Sequence, residues 1–164
     1  GDPKYQVAWR KLRIRELGDG GGFASLFNGK DLTGWSVNEN PASVSVKEGA
    51  MVVRGERAHV FYSGPVYQHS FKNFELRALV KTKPKANSGI YFHTVFLMTI
   101  RVAGKHITVS VDGKQVIDYH EPDNVERPKN FAGRVLDRVT FALQVHDPGS
   151  EVWYKDIRVK PLPE

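Results

Sequence analysis

Four side chains of this sequence could carry acid–base or metal chemistry from two strands. The run GIYFH at residues 89–93 alternates, so Tyr91 and His93 face one side. Gln144 and His146 share one face of FALQVH, residues 141–146. If both strands lie in one concave sheet, the four side chains converge in a polar groove with an aromatic wall. Imidazoles transfer protons near neutral pH and bind divalent metals, so His93 and His146 are candidate catalytic bases or metal ligands, and Tyr91 and Gln144 candidate substrate contacts.

Each histidine also has a plain structural interpretation, as a surface or hydrogen-bonded residue. No His-x-His or His-x-x-x-His spacing supports a metal independently, so a divalent metal cofactor stays open. The remaining histidines are interpreted in the same way, as surface or hydrogen-bonded residues: His59, His69, His106 and His120.

Two further residues are candidate substrate contacts with structural alternatives. Asn87 could orient a ligand through its amide, although a loop leading into the next strand is the favoured interpretation. Trp35 could stack on a sugar ring, but its place at the end of NGKDLTGW also favours packing in the core. The sequence HDP at 146–148 predicts a turn, because Asp before Pro starts turns readily.

Length and composition favour one globular domain. The chain has 164 residues, 40% of them hydrophobic, and no apolar run long enough to predict a membrane span. It has no cysteine, which excludes disulfides and thiolate chemistry. The net charge of +6 is spread over alternating positions, as on solvated strand faces, so we predict no nucleic-acid partner.

Short alternating segments between Gly, Pro, Asn and Asp predict an all-β antiparallel sandwich. In FELRALVK, residues 74–81, the apolar positions point one way, but Leu79 breaks the pattern and suggests a partly covered second face. Residues 98–120 predict a three-stranded meander with turns at Gly104-Lys105 and Asp112-Gly113. Residues 125–138, VERPKNFAGRVLDR, predict a polar connection.

The two ends of the chain resemble each other. GDPKYQVAWRKLRIREL at residues 1–17 aligns without gaps with HDPGSEVWYKDIRVKPL at residues 146–162. Both copies change hydrophobic phase at the same point, which in the second predicts a β-bulge near Lys155-Asp156. We therefore interpret residues 1–17 as a terminal strand, residues 18–22 as a Gly-rich linker and residues 23–164 as the sandwich domain.

An ordered set of motifs resembles one bacterial family. GFASLFNGKDLTGW (22–35), EGAMVV (48–53), FKNFELRALVKTKPKANSGIYFH (71–93), GKHITVSVDGKQVIDY (104–119) and FALQVHDPGSEVWYKDIRVKPL (141–162) are similar to motifs of 3-keto-disaccharide hydrolase domains. The resemblance implies a concanavalin A-like jelly-roll sandwich, a periplasmic or extracellular location, and cleavage of glycosides oxidised at the sugar 3-position. Residues 1–17 then resemble the end of a preceding family domain in a tandem pair, and could pair with an open sheet edge of this domain, of its neighbour or of another copy.

One departure from the family puts catalysis in question. In the family, a long stretch with a Glu-x-Gln strand follows NSGIYFH, whereas here residues 87–93 run directly into VFLMTIRV at 95–102. Two functions therefore stay open. One is a carbohydrate-active hydrolase that acts on 3-keto-glycosides by base-assisted elimination and hydration, and the other is a non-catalytic glycan-binding or interaction module.

Overall fold

The computed structural model describes residues 22–82, 95–132, 136–137 and 140–163, which form strands and short 3₁₀ turns without an α-helix. The strands are β1 Ala24–Ser25, β2 Trp35–Asn38, β3 Val44–Lys47, β4 Ala50–Val53, β5 Ala58–Tyr62, β6 Phe74–Thr82, β7 Val95–Ala103, β8 His106–Val111, β9 Lys114–His120, β10 Ala142–Val145 and β11 Val152–Pro161. The 3₁₀ turns are Pro41–Ser43, Val66–His69 and Lys129–Phe131.

Two antiparallel sheets contain these strands. The larger has eight strands in the order β3-β4-β11-β6-β7-β8-β9, with β1 also paired to β11. The smaller has three strands in the order β10-β5-β2, so β5 lies at its centre. The predicted all-β antiparallel sandwich is therefore confirmed.

The core lies between the sheets and is rich in aromatic rings. Trp35 and Tyr62 of the small sheet meet edge to face, with centroids 5.2 Å apart. Phe141 packs on Phe71 at 4.5 Å and on Phe74 of the large sheet at 4.8 Å. Such offset and edge-on pairs add stability beyond the area they bury, so this cluster holds the small sheet against the large one.

Strand β6 has the two faces that its sequence predicts. Phe74, Ala78 and Val80 are buried on the core side. On the other side the guanidinium of Arg77 lies 4.4 Å from the centre of the Phe23 ring. The segment before β1 therefore covers part of the side of β6 that points away from the core. Leu79, which interrupts the alternation in the sequence, lies in the same strand.

The predicted bulge in β11 is confirmed. The register of β11 against β6 shifts between Lys155 and Arg158, and Asp156 takes a left-handed φ of 50°. The shift lets residues on both sides of it reach the core, and Val152, Ile157 and Val159 are all buried. A regular strand would turn one of the two halves outward, because successive side chains alternate between faces.

The predicted meander is also confirmed, as strands β7, β8 and β9. Gly104 and Gly113 both have positive φ, as tight two-residue hairpin turns require. A second irregularity lies between β8 and β9, where Val109 pairs with Ile117 but Ser110 pairs with Gln115. Val116 is therefore an extra residue in β9, and everything after it changes face.

Other predictions fall partly or wholly outside the described residues. Residues 1–21 are not described, so the terminal strand, its pairing, and all of the linker except Gly22 stay predictions. In the predicted connection at 125–138, the described positions contain no strand. Among the described residues, no helix has the length and apolar character needed to cross a membrane.

Candidate functional site

The solvent-facing side of the three-stranded sheet carries a polar row. Gln144 in β10 lies opposite His59 in β5, and His59 lies opposite Asn38 in β2. The backbone N–H of His59 donates to Asn38 Oδ1 at 2.9 Å, which fixes the amide at the edge of the row. These side chains alternate with core residues such as Val60, so strand pairing alone places them on one face.

An aromatic ring adjoins this row. Phe61, two residues after His59, is 37% exposed, and its ring lies 6.1 Å from the imidazole of His59 at an interplanar angle of 35°. Ser36 pairs with Phe61 on the same face. We call the surface formed by Ser36, Asn38, His59, Phe61, Gln144 and His146 the outer face of the small sheet.

His146 directly follows β10, and extending the alternation of that strand by one residue assigns it to this face. Its Nδ1 lies 3.0 Å from Asp147 Oδ2, and its side chain is 48% exposed. Asp147 is held in turn by the Ser150 hydroxyl at 3.0 Å and by the Gly149 N–H at 2.9 Å. The turn predicted from HDP is thus confirmed, and it orients an acid–base pair.

Hydrogen bonding controls the charge of that pair. The hydrogen bond from His146, followed by the one from Ser150, holds the pKa of Asp147 below its usual value, so the carboxylate is ionised at neutral pH. An ionised Asp that accepts from Nδ1–H selects one imidazole tautomer. In the neutral ring, Nε2 is then the acceptor, as a general base requires.

Trp35 lies in the core. Trp35 is 7% exposed, and its indole Nε1–H donates to the carbonyl of Leu26 at 2.8 Å. A sugar ring needs an open aromatic face, and this indole instead packs against Tyr62. Trp35 is therefore a core residue, as its place in NGKDLTGW also suggested, and it is not part of the candidate site.

The predicted convergence of the site residues stays a prediction. Gln144 and His146 are both exposed, but His146 lies beyond the last residue of β10, and Asn87, Tyr91 and His93 lie outside the described residues. Sequence reasoning missed Asn38, His59 and Phe61. The alternation in AHVFY, residues 58–62, puts His59 and Phe61 on one face, but only the register shows that Gln144 lies beside them.

The fold defines a class of protein. Two antiparallel sheets around one core form a concanavalin A-like jelly-roll sandwich, and the small sheet carries an amide, imidazole and aromatic surface. The family model for 3-keto-α-glucoside-1,2-lyase-like domains matches residues 22–98 and 95–160. The chain belongs to this family.

Relatives with known names agree with the assignment. A 3-keto-disaccharide hydrolase from Bacteroides thetaiotaomicron is 28% identical over 140 residues, which cover 76% of this chain and 45% of that protein. The chain therefore spans less than half the length of this curated relative.

Two solved structures share the fold. A protein named as a glycosyl hydrolase from Parabacteroides distasonis superposes with a TM-score of 0.61 at 13% identity, over 87% of this chain and 94% of its own. The carbohydrate-binding module CBM66 from Bacillus subtilis gives a TM-score of 0.56 at 11% identity, over 77% and 95%. At these identities the likeness concerns the fold alone.

Proposed function

We propose that this domain cleaves 3-keto-glycosides on the outer face of the small sheet, with His146 as the general base. The observation behind this proposal is the exposed and oriented His146–Asp147 pair, which the alternation of β10 would carry onto the face of Gln144. The family assignment and the name of the Bacteroides relative support the substrate class.

The chemistry needs one base and no oxidant. A ketone at C3 acidifies the hydrogen at C2, so a base can remove that proton. The electron pair left at C2 forms a C1=C2 double bond as the bond from C1 to the glycosidic oxygen breaks, and the departing alcohol takes up a proton. Water then adds across the double bond, with its oxygen at C1, and regenerates the 3-keto sugar.

Four residues of the face have a part in this proposal. His146 accepts the C2 proton at Nε2, and Asp147 stabilises the imidazolium that forms through the Nδ1 contact. Gln144 and Asn38 can hydrogen bond to sugar hydroxyls, and Phe61 offers an exposed ring to the apolar side of a sugar. If the predicted strand with His93 and Tyr91 lies beside this face, it adds a second imidazole and a phenol, and a divalent metal bound there would polarise the ketone.

The test is turnover of a synthetic 3-keto-disaccharide, together with exchange of its C2 hydrogen in deuterated water. His146→Gln should lower both rates by about 10²- to 10⁴-fold, the usual worth of a general base. Asp147→Asn should reduce them less and alter the pH profile. His69→Gln is the matched control, because His69 ends the 3₁₀ turn Val66–His69 and belongs to no strand of the small sheet.

The outcome is decisive in either direction. Turnover and exchange that His146→Gln leaves unchanged would rule out His146 as the base. Loss of C2 exchange with sugar affinity retained separates the chemical step from binding, and supports the assignment.

A second candidate function is a glycan-binding module without catalysis. The exposed Phe61 beside His59 favours it, because aromatic and amide groups on a sheet face suffice to bind sugars. The expected loss of a Glu-x-Gln strand between residues 93 and 95 favours it too, and the two pieces of the family match meet at 95–98. Saturable binding of a sugar that Phe61→Ala abolishes, without turnover or C2 exchange, would establish this alternative.

The location is also a proposal. The family resemblance supports a periplasmic or cell-surface protein, where exported glycosides are available. Fractionation of cells that express the whole protein checks this.

A further inference from the structure

A second group of histidines lies on the large sheet, on the side away from the core. His106 of β8 is directly opposite His120 of β9, and Asp118 precedes His120 by two residues on the same face. The two imidazoles stack with centroids 3.9 Å apart and planes within 11° of parallel. Strand pairing therefore brings two imidazoles and a carboxylate together at the sheet edge.

The possible ligand atoms lie close together. His106 Nε2 is 2.6 Å from Asp118 Oδ1, and the nearest ligand atoms of the three residues all lie within 4.8 Å of one another. In a tetrahedral site with bonds of about 2.0–2.2 Å, ligand atoms are about 3.5 Å apart. Small χ rotations of these surface side chains close that difference, because the paired strands already fix their Cα positions.

We propose that His106, Asp118 and His120 form a binding site for a divalent transition metal, with zinc the first choice. Two imidazole nitrogens and one carboxylate oxygen are a common zinc donor set, and water would complete the coordination at this exposed position. Hard cations such as Mg²⁺ and Ca²⁺ prefer sites made wholly of oxygen, so they should compete poorly.

A simple ion pair does not account for the whole arrangement. It explains the contact between His106 and Asp118, but not a second imidazole stacked face to face on the first. Metal binding uses both rings and replaces the proton between His106 and Asp118.

The surroundings favour the site. Gln115 Nε2 donates to Asp118 Oδ2 at 2.9 Å, which orients the carboxylate as residues behind metal ligands do. The nearby ammonium of Lys105 is paired with Asp123 at 2.5 Å, which offsets its repulsion of a cation. A bound metal would cross-link β8 to β9, the last strand of the large sheet's order.

The chain offers His69 as a control for this proposal. His69 is an exposed histidine that ends the 3₁₀ turn Val66–His69, and it is not part of the group formed by His106, Asp118 and His120. If any exposed histidine bound zinc equally well, His69→Ala would weaken binding as much as His120→Ala.

The experiment is calorimetric titration of the whole chain with zinc chloride in a non-chelating buffer. We expect one zinc per chain with a dissociation constant below about 0.1 mM. His106→Ala and His120→Ala should each weaken binding by at least about tenfold, with His69→Ala unchanged and excess Mg²⁺ without effect.

Imidazole NMR of the unsubstituted chain gives a readout that no folding defect can imitate. Zinc should shift the ring resonances of two of the six histidines, the same two that disappear in His106→Ala and His120→Ala. Absence of zinc binding below 0.1 mM, binding that survives both substitutions, or shifts at other histidines would each overturn the proposal.

Discussion

Deleting Asp156 is expected to unfold or severely weaken the domain, although the residue is at a bulge and not in the core. Asp156 is the extra residue that keeps both halves of β11 in phase with the core. Without it, the strand can keep either Val152 or the pair Ile157 and Val159 facing inward, but not both.

The size of the effect follows from what turns outward. Ile157 is 2% exposed and Val159 is fully buried. Exposing a buried Val or Ile costs about 1.5–3 kcal/mol, so turning both outward costs about 3–6 kcal/mol. A domain of this size is stable by about 5–15 kcal/mol, so the deletion removes a large share of the total.

Point substitutions separate the bulge from the chemistry of the side chain. Asp156 has φ 50°, where an ordinary L-residue costs about 1–2 kcal/mol. Glycine lacks that cost but loses about 0.5–1 kcal/mol through chain entropy, so Asp156→Gly should be neutral or stabilising by up to about 1 kcal/mol. Asp156→Ala should be less stable than Asp156→Gly by about 1 kcal/mol.

The assay is urea denaturation followed by tryptophan fluorescence and far-ultraviolet circular dichroism. Deletion of Glu126 is the control, because this exposed residue lies in the connection after β9 and pairs with no strand. Equal stability of the two deletion variants would refute the argument from phase. A large loss in Asp156→Gly would show instead that the aspartate side chain, and not the bulge, holds β11.

Two further predictions concern local packing and charge. Hydrogen bonding from Thr33 and then Asn28 lowers the pKa of Asp31 to about 2. The ionised Asp31 therefore stabilises the fold above its unfolded pKa near 4, and this stabilisation is lost as the pH falls towards 2. Asp31→Asn should make the thermal midpoint less dependent on pH in that range. Gly64→Ala should lower the free energy of unfolding, measured by urea denaturation, by about 1–3 kcal/mol, because the new Cβ would lie 2.5 Å from the hydroxyl oxygen of buried Tyr62. A decrease of less than about 0.5 kcal/mol would mean that the Tyr62 ring moves aside freely.

Features that depend on one strand and its neighbouring turn could be predicted from sequence. The two faces of β6 follow from alternation, and the bulge at Asp156 follows from a change of phase within one strand. The turns at Gly104 and Gly113 follow from the need for positive φ. In each case the physical cause lies within a few residues of its effect.

The site face depended on strands that are distant in sequence. His59 and Gln144 are opposite each other only because β5 pairs with β10, and nothing local in either strand specifies that register. Trp35 shows the converse limit. Its sequence allows either a core or a surface position, and only the hydrogen bond to Leu26 and the packing on Tyr62 settle which one is occupied.

The bulge at Val116 links the two unusual surfaces of β9. In a regular hairpin from Asp112-Gly113, His106 would face Tyr119; the extra residue moves His120 opposite His106 instead. The same shift places Ile117 and Tyr119 on the core side, yet they remain 49% and 42% exposed. Neighbouring strands lie about 4.8 Å apart, so the three-stranded small sheet is only about 10 Å wide. The large sheet is nearly three times as wide, so the small sheet leaves the core side of β9 uncovered. The exposed core side of β9 and the group formed by His106, Asp118 and His120 therefore lie on opposite faces of one strand, and the extra residue at Val116 sets the position of both.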